Sequence, residues 1–268
     1  MIRKCAAADA KAILDFIGDD YGRCLYLYMD LLKYGFETPF VSVWREDGTD
    51  GAIASVWLRY NTGMHVYAPR GLPDGEAAIR FVRSERPAML CGVSEVLLPI
   101  ADGLKQDGYQ FSGGRVGRYA LQNGAAGRID FRSLDDEADF TRVEELLYAD
   151  EEYGASYKPG ELAAQLFERR RQGLSRNYAV ERQGRIVAHV GTGAECDRFA
   201  LLSGGVTDRE WRRHGLFSGL ITTLAQDLLA EGKDVFSLYY NSVAAALHHK
   251  AGFVDQCTWG RLFLKLHP

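Results

Sequence analysis

The sequence predicts an α/β (α+β) protein of two domains, residues 1–122 and 128–268. Three observations carry this. The chain has 268 residues, more than the roughly 100–200 of a typical single domain. The stretch LQNGAAGRIDFRSL, residues 121–134, breaks all periodicity with Gly124, Gly127 and other small residues, as a linker does, and sets the boundary near residues 122–128. On either side of it, strand-like and helix-like segments alternate in a similar order.

In the first half, apolar residues at helical spacing predict helices over about 7–17 and 21–34. Strands at 39–46, 51–60 and 63–68 precede a helix at 74–85. A strand near 88–91, a helix at 94–107 and a strand at 109–120 complete it. In the second half a short strand is expected over 128–133. SLDDEADFTRVEELLYADEEY opens with Ser133 and acids, a helix start, and KPGELAAQLFERRRQG is a second helix ending at Gly173. NYAVERQGRIVAHVGTGAE reads as a hairpin turning at Gln183-Gly184, and DRFALLSGGVT as a strand interrupted by Gly204-Gly205. A helix follows over about 214–231, then the strand KDVFSLYY. NSVAAALHHKAGF is a short helix capped by Asn241 or Ser242, with Gly252 beyond its end. VDQCTWGRLFLKL supplies a last strand or two.

Nearly half the residues are hydrophobic and a quarter charged, a composition that packs. The net charge of −4 argues against general nucleic-acid binding, which needs a basic face. Cys5, Cys24, Cys91, Cys196 and Cys257 are scattered and form no C-x-x-C pair, so reduced thiols are expected and no metal site. Asp9, Lys11 and Asp15 interrupt any signal-peptide core, and no apolar run approaches the ~18 residues that span a membrane. These features point to a soluble, cytoplasmic protein that engages neither membrane nor nucleic acid.

One stretch is out of place. In TDREWRRHGLFSGLITTL, residues 207–224, Arg212, Arg213 and His214 gather where a helix begins, although a helix N-terminus is already positive and prefers acids. An ordinary strand-to-helix turn with solvated arginines accounts for the stretch taken alone. An incoming anion accounts for it too. Unpaired N–H donors and the dipole would hold a phosphate, Gly215 would let the backbone approach it closely, and the arginines would add charge-assisted contacts.

Together with NSVAAALHHKAGF, this stretch resembles the acyl-CoA-binding core of the GNAT (GCN5-related) N-acetyltransferases. Arg212-Arg213-His214-Gly215-Leu216-Phe217 is similar to the family's R/Q-x-x-G-x-G/A loop, lying between a strand and a helix as that motif does. NSVAAALHHKAGF is similar to its N-x-x-A-x-x-x-Y-x-x-x-G-F segment. The resemblance spans residues 128–268. It implies GNAT-like domains, each a mixed, mostly antiparallel central sheet flanked by helices, in a tandem whose first half is degenerate. There, APRGLPDGEAA lacks the loop spacing and puts Pro73, Asp74 and Glu76 at the helix start.

The resemblance further implies acetyl-CoA (coenzyme A) as co-substrate without a metal. The acceptor would be an amine of a small molecule or peptide, and a homodimer is an admissible assembly. Arg212, Arg213, His214, Gly215, Leu216, Phe217 and Ser218 would meet the pyrophosphate. Gly205, Val206 and Thr207 would run along the pantetheine arm, with Asn241 opposite. Two positions depart from the pattern: Phe217 stands where Gly or Ala is common, and His248 where a tyrosine often protonates the departing thiolate. His248 is therefore the expected acid. Glu152, beside Glu151, is the candidate base, with Glu195 and Tyr240 behind it. The implied reaction is N-acyl transfer. A non-catalytic acyl-CoA-binding regulator and a tandem transferase with another activated acyl donor are the alternatives.

Overall fold

A computed structural model describes residues 1–36, 38–120, 126–150 and 160–264. They divide into two compact units, Met1–Val116 together with the chain from Asp255 on, and Gly117–Val254. The first contains β1 (Ile2–Lys4), α1 (Ala10–Ile17), α2 (Leu25–Tyr34), β2 (Val41–Asp47), β3 (Ile53–Tyr60), β4 (Gly63–Tyr67), α3 (Gly75–Glu85), β5 (Met89–Gly92) and α4 (Ser94–Lys105). β6 (Tyr109–Tyr119) leads into the second unit. That unit holds β7 (Arg132–Ser133), α5 (Glu137–Tyr148), α6 (Glu161–Arg171), β8 (Asn177–Arg182), β9 (Arg185–Glu195), β10 (Phe199–Thr207), α7 (Leu216–Ala230), β11 (Asp234–Tyr239) and α8 (Ser242–Ala251). β12 (Phe253–Leu264) starts there and ends in the first unit.

Each unit has a mixed, mostly antiparallel sheet. In the first the order is β1-β2-β3-β4-β5-β12, with only β4–β5 parallel. In the second β7-β8-β9-β10-β11 are adjacent, with only β10–β11 parallel. A meander followed by one parallel pair thus occurs twice, matching the repeated order of elements in the sequence.

Side-chain alternation sets the two cores of the second unit. Tyr178, Val180, Ala188 and Val190 turn to Leu220, Leu224 and Leu228 of α7. Ala179 and Ile186 turn the other way, to Phe140, Val143 and Leu147 of α5 and Leu162 of α6. So α7 covers one face of the sheet, and α5 and α6 the other.

Three elements differ from the sequence reading. The expected strand 128–133 shrinks to Arg132–Ser133. Its first part docks on α7 instead: the Ile129 N–H donates to Thr223 Oγ1 at 3.1 Å, and the Ile129 side chain fills the space beside Gly219. The last strand, grouped by sequence with the second domain, pairs antiparallel with β5, Gly260 opposite Gly92. Units therefore part at Val116/Gly117 and again at Val254/Asp255, not at 122–128. β1 escapes the sequence reading because three residues, two of them exposed, carry no period.

A buried carboxylate ties α5 to α6. Glu144 accepts the Gly160 N–H at 3.1 Å, Leu162 N–H at 3.0 Å and Ala163 N–H at 3.2 Å, so a side chain on one helix caps the start of the next. Glu144→Ala strips three backbone donors of their acceptor, those of Leu162 and Ala163 buried, and is expected to cost about 2–4 kcal/mol in urea unfolding. Glu144→Gln keeps an oxygen there and should lose clearly less. Two variants indistinguishable from wild type would refute the cap.

Candidate active site

The site begins where a strand leaves its neighbour. β10 and β11 pair in parallel from Phe199–Asp234 to Leu202–Ser237. Both continue further, to Thr207 and Tyr239. On its other edge β10 shifts register against β9 between Ser203 and Val206. There Gly204 takes φ +64°, a left-handed conformation that glycine adopts without strain. Extra residues on one strand make a bulge, and a bulged strand bends. The Gly204-Gly205 pair read from the sequence as an interruption is this bulge. It is held by His189 of β9, whose Nδ1 lies 2.8 Å from the Gly204 carbonyl oxygen.

Beyond Thr207, Asp208 caps a single 3-10 turn, Arg209–Trp211, by accepting the Glu210 N–H. Arg213 is left-handed at φ +69° and Gly215 at +77°, and α7 starts at Leu216. Gly215 has no side chain to cap the helix, and the first turn carries no acid. The equivalent start in the first unit is closed: Asp74 accepts the Ala77 N–H at 2.9 Å, and Glu76 sits in the first turn of α3. α8 is closed as well, by Asn241 accepting the Ala244 N–H at 2.8 Å. The positive end of the α7 dipole is left open.

The three basic residues of the loop have different duties. Arg212 is tied inward, its Nε donating to the Thr207 carbonyl and its Nη2 to Asp150, both at 3.1 Å. His214 is exposed, with Nδ1 3.2 Å from the Trp211 carbonyl oxygen. Arg213 is exposed and makes no ion pair with any described residue.

Phe217 explains its own departure from the family pattern. Its ring packs into the space that a side chain at Gly205 would occupy; a Cβ there would lie 2.5 Å from the ring. The ring also stands edge-on to His248 at 5.6 Å. Leu216 is half-buried and Ser218 buried beneath the helix start, and Val206 is in the core under α5.

His248 is buried among Phe217, Tyr239 and Phe253. Its Nδ1 lies 2.7 Å from the Ala244 carbonyl, which can only accept, so Nδ1 carries the proton. Nε2 then accepts from the Ser237 hydroxyl at 2.8 Å. Burial lowers the ring's pKa below the usual histidine value. In this state Nε2 holds no proton to hand on. Asn241 spends its side-chain oxygen on the cap. Glu195 is bound to Arg176 and Lys233, beside Ala200, at the end of β10 away from the bulge. Glu151 and Glu152 lie outside the described residues. His189 and Ser237 were missed by the sequence reading; the available signal was a polar residue inside an apolar run, as in IVAHVG.

The pairing of Gly205 with Phe217 predicts a coupled pair of substitutions. Gly205→Ala overpacks this contact and should destabilise by about 1–3 kcal/mol. In a Phe217→Ala background the same change should cost much less, and urea unfolding of the four proteins measures the coupling. Additive effects would contradict the contact.

A family model described as "Acetyltransferase (GNAT) domain" matches residues 115–250. No curated protein matches the chain. Among solved structures, a GCN5-related N-acetyltransferase from Sphaerobacter thermophilus is similar at 15% identity and TM-score 0.64, covering 98% of this chain and 94% of that one. A GNAT-family acetyltransferase from Colwellia psychrerythraea is similar at 12% identity and TM-score 0.60, covering 99% and 100%. A tandem GNAT protein from the clavulanic acid biosynthesis pathway is similar at 14% identity and TM-score 0.56, covering 98% and 97%. At such identities these structures speak for the fold, and they do so over both units. With the family model spanning just over half its length, the chain belongs to the GNAT acetyltransferase family.

Proposed function

We propose that the chain is an acyl-CoA-dependent N-acyltransferase that moves an acetyl group directly from the thioester to an amine of a small molecule or peptide. One observation carries the reading: an uncapped helix start, with a left-handed glycine and an exposed arginine that pairs with no described acid, stands beside a strand that has left its neighbour. The first is a receptor for a pyrophosphate, the second a slot with backbone donors for an extended, amide-bearing arm. Arg213, Gly215, Leu216, Phe217 and Ser218 would hold the pyrophosphate, and Gly205, Val206 and Thr207 the arm. Arg212 and Asn241 serve more indirectly, by fixing the loop and capping α8. The co-substrate supplies an activated acyl group. In the first unit Asp74 and Glu76 occupy the corresponding helix start and would repel a phosphate, so the donor is assigned to the second unit alone.

The reaction forms a C–N bond and breaks the C–S bond. The amine attacks in its neutral form, having lost a proton to water or a base, and the leaving thiolate takes a proton up. His248, neutral and protonated on Nδ1, is poorly placed to supply it. That same observation favours a second reading, a non-catalytic acyl-CoA-binding regulator.

Release of CoA from acetyl-CoA across a panel of small amines and peptides tests the proposal, alongside calorimetry of CoA binding. Arg213→Gln should weaken CoA by about tenfold, the loss of one charge-assisted contact. CoA binding with no transfer to any amine would favour the regulator, and no binding would remove both readings. His248→Gln should leave turnover within about threefold of wild type. A larger fall at unchanged CoA affinity would restore the acid role.

A further inference from the structure

His189 is 1% exposed, and its ring is bonded on both sides. Nδ1 faces the Gly204 carbonyl at 2.8 Å, and Nε2 faces the Asn177 carboxamide at 3.1 Å. Burial pushes the imidazole down to about 4, so near neutrality it holds a single proton. The Gly204 oxygen can only accept, which puts that proton on Nδ1; Nε2, which has Asn177 Oδ1 at 3.1 Å, then accepts only from a carboxamide turned so that its NH2 meets the ring. Strand alternation locates the ring. Ala188 and Val190, on either side of it, pack under α7, whereas Ala179, two residues after Asn177, packs under α5. The imidazole and Asn177 therefore lie on the α5 face of the sheet, and the Gly204 carbonyl points to that face. Among the described residues no peptide is cis, so the N–H of the same peptide unit, that of Gly205, points the opposite way. It is turned away from the imidazole, and Gly205 itself lies against the Phe217 ring of α7.

We propose that His189 is a positioning residue for acyl transfer: its Nδ1–H clamps the Gly204 carbonyl and so aims the Gly205 N–H at the acyl or pantetheine carbonyl of a donor laid along β10. The inference rests on the acyl-CoA reading above, but the clamp exists without it. A donor fixed before the ligand arrives costs no reorganisation when charge develops on the carbonyl oxygen.

Three measurements decide it. In the free protein, nitrogen-15 NMR of the imidazole should show the Nδ1-protonated tautomer; an Nε2-protonated ring overturns the clamp. On titration with acetyl-CoA, the backbone amides of Gly205 and Gly215 should both shift in wild type. In His189→Leu the Gly215 shift should remain and the Gly205 shift be lost. Turnover in that variant should fall about tenfold to hundredfold, with acetyl-CoA affinity within about threefold. His189→Gln, whose carboxamide can still donate to Gly204, should recover part of the rate, and it carries the test if the leucine variant does not fold. An unchanged Gly205 shift and rate in His189→Leu overturns the proposal. If wild type shifts at neither glycine, the acyl-CoA reading fails, and the tautomer still decides the clamp.

Discussion

The hydrogen bond between His189 and the Gly204 carbonyl holds the point where β10 stops following β11. Upstream the two strands are an ordinary parallel pair, from Phe199 to Leu202. Downstream the backbone of Gly205 to Thr207 is released from that ladder. Everything proposed for the site depends on that release. Amides that would have been consumed by a neighbouring strand become available to a ligand. A left-handed glycine makes the bend feasible, and a buried imidazole makes it definite, because neither of its nitrogens has water as an alternative partner.

The loop after β10 divides its charge in the same spirit. Arg212 is spent on the protein itself, bonded to Thr207 and Asp150, and thereby fixes the course of the chain. Arg213 is held in a left-handed conformation, exposed and without a counter-ion among the described residues. An uncapped helix with a bare cation beside it is a poor arrangement for stability alone, since acids are favoured there by a few tenths to one kcal/mol. The contrast with α3 is informative because the two units repeat one topology. Where the acid is present at the helix start, the site is closed; where it is missing, the site is open.

Much of this was legible from the residues. The run of basic residues before Gly215, the Gly204-Gly205 pair and the Asn241 cap are local signals, and each appears where the sequence places it. Helix boundaries at α7 and α8 fall within two residues of expectation, since caps and glycines act within one turn. Less legible were contacts between segments distant in the chain. Phe217 looked like a flaw in the loop until Gly205, twelve residues earlier, was seen to make room for it. His248 looked like an available acid until Ser237 and the Ala244 carbonyl were found on its nitrogens.

The sequence by itself determined most of the element order, the family and the place where an anion is expected, because periodicity, caps and glycine positions are properties of neighbouring residues. Tertiary structure alone decided three things. It carried the last strand to β5, assigned Arg212 to the protein and Arg213 to solvent, and turned His189 into the clamp of the bulge. Each of these depends on burial and on partners brought together by folding. A residue's protonation, hydrogen bonds and freedom to act are set by those partners, and nothing in its immediate sequence names them.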